Sequence, residues 1–216
     1  MIVERPDKGY LFVLLRHGES QGNAHELIQG QKDFPLTDRG RRQAAALAAA
    51  WEKDGQRFDR VLCSPLQRAR ETAKIVLAAT NTPVEYDEIW MERDYGMYSG
   101  LNQAEANKKY PQPDFLPPYA PLGHTGEGQW QLFLRAGTAL HKLLRYPPAC
   151  YLVVSHGGIL NMLMYTILGL TVQANYQGSH FPFENTGYTT LTYTPDEHHW
   201  RIWAHNQDCH LHDLEN

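Results

Sequence analysis

Four side chains in this sequence lie where an apolar run gives way to a polar or glycine-containing turn. They are Arg16, His17, Arg68 and His156. A guanidinium group matches phosphate oxygens in pairs, because its N–H groups form a planar fork. A neutral imidazole is also a nucleophile toward phosphorus. If the apolar runs are neighbouring strands, these residues can converge on one crevice that binds and transfers a phosphoryl group.

Glycines and charges near these side chains favour the same chemistry. Gly18, Gly157 and Gly158 lack a Cβ atom, so their backbone N–H groups can approach an anion closely. The arginine charges disfavour the imidazolium form of His17 and thereby keep its ring available for attack. The same charges can stabilise the oxygens of a phosphoryl group during transfer.

An alkyl phosphate also needs a proton on its leaving oxygen, and a carboxylic acid at the rim of the pocket can supply it. Glu92 is the favoured donor in the segment Trp90-Met91-Glu92-Arg93-Asp94. Three other carboxylates lie nearby and keep this assignment open. They belong to Glu19, Glu88 and Asp94.

The elements that must position these groups alternate along the chain. Strands are predicted at residues 11–15, 60–63, 84–89, 151–154, 188–193 and 200–204, and helices at 41–51, 64–79, 102–109, 129–144 and 157–168. Pro65 is expected in the first turn of the helix at 64–79. This alternation predicts an α/β fold of three layers, with a mostly parallel central sheet and helices on both faces. Ligands bind such sheets at the carboxyl ends of the strands.

One domain spanning residues 1–216 is the expected organisation, because this length suffices for one sizeable core. The segment at 102–128 is expected to form a lid. Between residues 110 and 128 it holds five prolines and three glycines, a composition typical of a long loop. The lid aromatics Phe115 and Tyr119 hint at a leaving group of low charge.

Composition restricts the partners of the protein. With 20 Lys+Arg against 24 Asp+Glu the formal charge is -4, and no basic run is present. We therefore expect no nucleic-acid partner and no membrane partner.

The three cysteines are widely spaced, and the apolar run near the N-terminus is too short for a signal core, so a cytoplasmic protein is expected. A homodimer stays open.

The ordered motifs resemble those of the histidine phosphatase superfamily, in its phosphoglycerate mutase-like branch. Five blocks carry the resemblance from residue 11 to about residue 210. They are Arg16-His17-Gly18-Glu19, the stretch from Gln29 to Ala44, Ser64-Pro65-Leu66-Gln67-Arg68, Glu92 with Tyr95-Gly96, and Ser155-His156-Gly157-Gly158. Each motif alone is common, but their order and their strand–turn contexts are specific.

The resemblance implies a role for each matching residue. His17 is the nucleophile, Glu92 is the proton donor, and the phosphate is clamped by Arg16, Arg68 and His156. Further substrate contacts are expected from Ser20, Asn23, Gln29, Gly30 and Gly157. No cofactor and no metal is implied. The histidines near the C-terminus match no closed zinc pattern.

The departures from the family bear on the reaction. Mutases of this branch carry a basic insertion after the acid segment, whereas residues 110–134 here contain no Lys or Arg. The favoured interpretation is a phosphomonoesterase of a small phosphorylated metabolite that works through a phosphohistidine on His17. Two alternatives stay open: a bisphosphoglycerate-dependent phosphoglycerate mutase, and a non-catalytic module that binds a phosphorylated ligand.

Overall fold

A single sheet organises the computed structural model, which describes residues 3–212 and residue 214. Its strands are β1 (Tyr10–Arg16), β2 (Arg60–Cys63), β3 (Val84–Tyr86), β4 (Cys150–Ser155), β5 (Tyr188–Thr194) and β6 (His199–Gln207). The strand order is β3-β2-β4-β1-β5-β6. Strands β3, β2, β4 and β1 are parallel, whereas β5 is antiparallel to both of its neighbours. The predicted mostly parallel sheet is confirmed.

Helices cover both faces of this sheet. They are α1 (Gln21–Ala24), α2 (Asp38–Asp54), α3 (Gln67–Val76), α4 (Gln103–Lys109), α5 (Gln129–Leu144) and α6 (Gly157–Leu168). Alternate residues of β1 enter different cores, as the two-residue period of a strand requires. Phe12 and Leu14 pack with residues of α5 and α6, while Val13 and Leu15 pack with residues of α2 and α3. The three-layer α/β architecture is therefore also confirmed.

The three strands that precede the chemical motifs lie side by side in the sheet. Arg16 of β1 is in register with Ser155 of β4, and Cys63 of β2 is in register with Val154. Backbone hydrogen bonds extend these pairings by one residue, from the His17 N–H to the Ser155 carbonyl over 3.0 Å and from the Ser64 N–H to the Val154 carbonyl over 3.0 Å. All three motifs therefore leave the sheet at one carboxyl edge.

Helix α3 begins later than the sequence predicted. Leu66, in an extended conformation, is its N-cap, and the Ser64 hydroxyl accepts a hydrogen bond from the Leu66 N–H over 3.3 Å. Ser64 and Pro65 thus form a turn before the helix, and the expectation of Pro65 in the first helical turn is wrong.

The strand predicted at 84–89 is shorter, because β3 ends at Tyr86. The Asp87 carboxylate accepts a hydrogen bond from the Ile89 N–H over 3.0 Å and caps a short 3-10 helix at Glu88–Trp90. The chain turns there toward Glu92.

The segment at 102–128 contains α4, a proline-rich loop and a 3-10 turn at Leu122–His124. Tyr98, Ala106 and Leu122 form a small apolar cluster that anchors it. Its function as a lid stays a prediction. Within the described part of the chain, no helix combines the length and the apolar character that a membrane span requires.

Candidate active site

His17 follows β1 directly and is 3% exposed. Its Nδ1 atom lies 2.7 Å from the Gly18 carbonyl oxygen, which can only accept, so Nδ1 carries the proton. Arg68 Nε donates to His17 Nε2 over 3.2 Å, so Nε2 carries the lone pair. Burial, followed by the charges of Arg68 and Arg16, lowers the pKa of His17 well below its ordinary value. The ring is therefore a neutral imidazole whose reactive nitrogen faces the guanidinium group.

His156 lies beside His17, with ring centroids 5.0 Å apart. Its Nε2 atom is 2.7 Å from the Ser64 hydroxyl, which comes from the turn after β2. Its Nδ1 atom is buried and has no hydrogen-bonding partner among the described residues. Burial and then the charge of Arg68 lower the pKa of His156 as well. Both imidazoles are thus neutral, and the second one keeps a nitrogen atom for a ligand.

Arg68 is the most deeply buried charged side chain of the site, at 1% exposure. Its two terminal nitrogens donate to the carbonyl oxygens of Lys32 over 2.9 Å and Gly30 over 2.8 Å. These carbonyls orient the guanidinium, so that its Nε atom faces His17. Burial lowers the pKa of Arg68 to about 10, which leaves it cationic at neutral pH.

Arg16 is the last residue of β1 and directly precedes His17 in the sequence. Its Nη1 atom donates to the Phe183 carbonyl oxygen. Its Nε atom is buried and unpartnered among the described residues, and it lies 3.9 Å from the position that a Cβ atom on Gly157 would take. Burial lowers the pKa of Arg16, and the carboxylate of Glu92 opposes that shift. Arg16 thus has a donor free for an anion next to the start of α6.

Glu92 caps the first turn of α6 from outside the helix. Its Oε2 atom accepts from the Gly158 N–H over 3.1 Å, and its Oε1 atom accepts from the Ile159 N–H over 3.2 Å and from the Arg93 N–H over 2.7 Å. The N–H groups of Gly158 and Ile159 lie in the first turn of α6 and have no acceptor within the helix. The N–H of Gly157, the first residue of α6, has no acceptor within the helix either.

A cavity of about 450 Å³ opens beside Arg16, Glu92 and Gly157. Its walls include residues of α5 and α6 and the loop at residues 179–184. Its lining residues do not include His17, Arg68 or His156, which are almost fully buried. No residue of the described segment 102–128 lines it either, so Phe115 and Tyr119, 64% and 75% exposed, contribute nothing to its wall.

The remaining predicted substrate contacts have other partners in this structure. The Ser20 hydroxyl is fully buried, caps α1 and lies 2.7 Å from Gln29 Oε1. The side-chain Oδ1 atom of Asn23 accepts from the Ser20 backbone N–H over 3.1 Å, and the backbone carbonyl of Gly30 accepts from Arg68. These four residues surround the site, and their contact with a substrate stays a prediction.

Two residues with clear roles in this geometry were not identified from the sequence. Ser64 contacts His156, and Arg135 donates to the carbonyl oxygens of Met91 over 2.7 Å and Glu92 over 3.2 Å. A sequence signal existed for each. Ser64 directly follows a buried strand, as His17 and His156 do, and Arg135 is the one charged residue between positions 129 and 140.

The histidines near the C-terminus are dispersed over separate contacts. His205 lies 2.8 Å from the Thr189 hydroxyl, and His210 lies 2.9 Å from the Thr186 hydroxyl. Within residues 3–212, no three His, Cys, Asp or Glu side chains are grouped as a metal site would require. Metal independence itself stays a prediction.

The fold and the site together are those of an α/β enzyme that acts on phosphate esters: two neutral imidazoles and two guanidinium groups meet at the carboxyl ends of parallel strands. The family described as the histidine phosphatase superfamily (branch 1) matches residues 12–207. The chain belongs to this superfamily.

Relatives within the superfamily include phosphatases and mutases. The chain is 31% identical over 199 residues to the uncharacterized phosphatase PhoE of Bacillus subtilis, covering 92% of this chain and 95% of that protein. It is 33% identical over 172 residues to the 2,3-bisphosphoglycerate-dependent phosphoglycerate mutase of Bartonella bacilliformis, covering 74% of this chain and 82% of the mutase.

Among solved structures, the alpha-ribazole phosphatase of Shigella flexneri superposes with a TM-score of 0.79 at 26% identity, covering 92% of this chain and 96% of that one. The mycobacterial glucosyl-3-phosphoglycerate phosphatase in complex with VO3 superposes with a TM-score of 0.75 at 27% identity, covering 91% and 99%. These relatives support phosphatase activity.

Proposed function

We propose that the protein hydrolyses a phosphate monoester of a small metabolite through a phosphohistidine on His17, without a metal ion. The observation that carries this proposal is the tautomer of His17. The Gly18 carbonyl holds the proton on Nδ1, and the lone pair of Nε2 is directed toward the arginine-lined side of the site. A neutral, oriented imidazole is the form that attacks phosphorus.

In the proposed first step, the Arg68 Nε–H leaves His17 Nε2 and turns to a phosphoryl oxygen. His17 Nε2 then forms a bond to phosphorus while the bond from phosphorus to the ester oxygen breaks. The phosphoryl oxygens are bound by Arg16 Nε, Arg68 and the Gly157 N–H. If the Ser64 hydroxyl donates to His156 Nε2, then His156 Nδ1 carries a proton and donates to the same oxygens. Glu92, protonated, gives its proton to the leaving oxygen.

In the proposed second step, the Glu92 carboxylate takes a proton from a water molecule that attacks phosphorus. The bond between phosphorus and Nε2 breaks, inorganic phosphate leaves, and His17 returns to its starting state. The charge that develops on the phosphoryl oxygens is balanced by the guanidinium groups of Arg16 and Arg68, so the step needs no cation from solution.

The test is turnover and labelling of a His17→Ala variant. Wild-type protein incubated with a labelled phosphate ester should carry acid-labile phosphate, and the variant should show neither turnover nor label while its thermal unfolding is unchanged. Retained turnover in the variant would refute the nucleophile. Activity of the wild type should also persist in EDTA, and a loss that zinc restores would refute metal independence.

A mutase is the second candidate function, because several of the relatives found are named as phosphoglycerate mutases. Interconversion of 2- and 3-phosphoglycerate in the presence of bisphosphoglycerate, faster than release of phosphate, would favour it over hydrolysis. Vanadate binding without turnover of any phosphate ester would instead favour the non-catalytic binding module.

A further inference from the structure

The cavity beside the phosphate-binding groups contains a buried amide without a partner. Gln129 begins α5 and is 5% exposed. Its side chain makes no hydrogen bond with any described residue, and its Oε1 atom is fully buried. Because buried polar groups are rarely left unpaired in native proteins, an amide at the wall of a cavity indicates that a ligand completes its hydrogen bonds.

A second neutral amide lies in the same wall. Asn161 of α6 is 9% exposed, and its Oδ1 atom accepts from the Phe181 N–H over 2.8 Å. Because the Phe181 N–H can only donate, the atom that it contacts is the amide oxygen of Asn161. The amide NH2 group of Asn161 has no acceptor among the described residues. The cavity thus offers an amide donor from Asn161 and an amide from Gln129.

The charges of the cavity do not favour a second anionic group on the ligand. Two cations line it, Arg16 and Arg93, and two carboxylates line it, Glu92 and Glu184. Arg16 belongs to the phosphate end. Two nitrogens of Arg93 are already used, since its Nε donates to the Glu127 carbonyl over 2.8 Å and its Nη2 donates over 3.0 Å to the hydroxyl of Tyr176, which also lines the cavity. Arginines and carboxylates are thus equal in number around the cavity.

Besides the polar Ser179 and His180, the wall has apolar and aromatic side chains. These include Leu132, Met162, Tyr165, Phe181 and Phe183. Such side chains pack against C–H groups, whereas the amides need hydrogen-bonding partners. A hydroxyl group both donates and accepts, so neighbouring hydroxyls on a carbon chain or ring can satisfy the two amides at once.

We propose that the leaving group of the substrate is a neutral polyol or sugar whose hydroxyl groups bind Gln129 and Asn161. This proposal rests on the phosphatase function and specifies its substrate class. It assigns recognition to side chains of α5 and α6, which lie outside the phosphate clamp.

The test compares glycerol 1-phosphate with propyl phosphate, which share three carbons and one phosphate ester but differ in hydroxyl groups. We expect kcat/KM to be at least about tenfold higher for glycerol 1-phosphate, because a site built for hydroxyl groups rejects the analogue that lacks them. Gln129→Leu should reduce this ratio toward one. Gln103→Leu, the same change at an exposed position of α4, should leave the ratio unchanged.

The outcomes separate this proposal from the function on which it rests. Equal kcat/KM for the two esters, or a ratio that Gln129→Leu does not change, would overturn the leaving-group assignment while hydrolysis stands. Preference for 3-phosphoglycerate would overturn it in favour of a second anion. No hydrolysis of any ester, including para-nitrophenyl phosphate, would overturn the phosphatase function itself. Gln129→Met serves as the second variant if Gln129→Leu unfolds at a lower temperature than the wild type.

Discussion

Arg68 Nε donates to His17 Nε2 over 3.2 Å, and this bond joins the first turn of α3 to the turn after β1, 51 residues away in the sequence. The guanidinium reaches this position because carbonyl oxygens of Lys32 and Gly30 hold its other end. A cation in contact with the imidazole also opposes its protonation. Burial is the largest cause of the lowered pKa of His17, and Arg68 adds to that shift while it also contacts the ring.

We expect Arg68→Lys to lower kcat/KM by about a hundredfold or more, because an ammonium group cannot replace the three directed N–H bonds of the guanidinium. The measurement is steady-state hydrolysis of a phosphate ester. Arg70→Lys is the matched control, since Arg70 lies on the same helix with its guanidinium over the ring of exposed Tyr86. Similar losses in both variants would contradict the special role of Arg68.

The lowered pKa values of His17 and His156 predict how activity depends on pH. Both imidazoles stay neutral well below pH 6.5, the ordinary pKa of histidine. Protonation of His17 should therefore not cause a loss of kcat/KM centred at pH 6.5. The measurement is a pH profile combined with NMR titration of the His17 ring. A His17 titration centred near pH 6.5 would contradict the expectation.

Stability should also respond to these histidines. Below pH 6.5 the unfolded chain binds protons at His17, His156 and His210, whereas the folded protein does not, because burial lowers each pKa, that of His210 to about 4. The free energy of unfolding should therefore rise with pH up to about 6.5 and gain nothing further from these groups above it. Urea unfolding between pH 5 and pH 8 measures this. A urea concentration at the unfolding midpoint that falls as pH rises from 5 to 6.5 would contradict this expectation.

Gly158 leaves room for the Glu92 carboxylate. A Cβ atom at this position would lie 2.4 Å from Glu92 Oε1, so Gly158→Ala should displace the carboxylate without removing it. We expect kcat to fall at least about tenfold, in line with the loss of a positioned acid–base group, while the thermal unfolding temperature changes little.

Gly137→Ala in α5 is the control for this substitution, because the nearest atom to its Cβ would be Thr166 Cγ2 at an ordinary 3.7 Å. Unchanged kcat in Gly158→Ala would show that turnover does not depend on the position of the Glu92 carboxylate at the start of α6.

Arg135 holds the chain that carries Glu92. It binds the carboxylate of Glu127 through two nitrogens, at 2.8 and 2.7 Å, and donates to backbone carbonyls on either side of Met91. Arg135→Met should lower the free energy of unfolding by about 1–3 kcal/mol, since these acceptors lose their donor. It should also lower kcat more than it changes KM.

The control is Arg145→Met, at the exposed C-terminal end of the same helix, which should change neither the free energy of unfolding nor kcat. Partial recovery of kcat in Arg135→Lys would support positioning through charge and hydrogen bonds. A stability loss with unchanged kcat would limit Arg135 to a structural role.

The sequence alone was sufficient for the class of sheet and for placing the candidate site residues at the ends of its strands. Buried parallel strands are continuous apolar runs, and the chemistry-bearing residues follow such runs immediately, as at His17 and His156. Because strand and motif are adjacent in the chain, their relation is local and can be predicted from pattern. This local relation is why β1 and α6 could be located from the sequence, with their motifs expected at the carboxyl edge of the sheet.

Only the tertiary structure decided which groups from distant segments complete the site. Ser64 reaches His156 across 92 residues, Arg135 reaches the Glu92 loop from another helix, and Gln129 forms the cavity wall in place of the expected aromatic residues of the lid. The Ser64 contact depends on β2 and β4 being neighbours in the sheet, and the contacts of Arg135 and Gln129 depend on how α5 packs against it. A local pattern can mark such a residue, but it does not identify the residue's partner. The sequence thus determined the type of chemistry, and packing determined the groups that orient it and the space left for the leaving group.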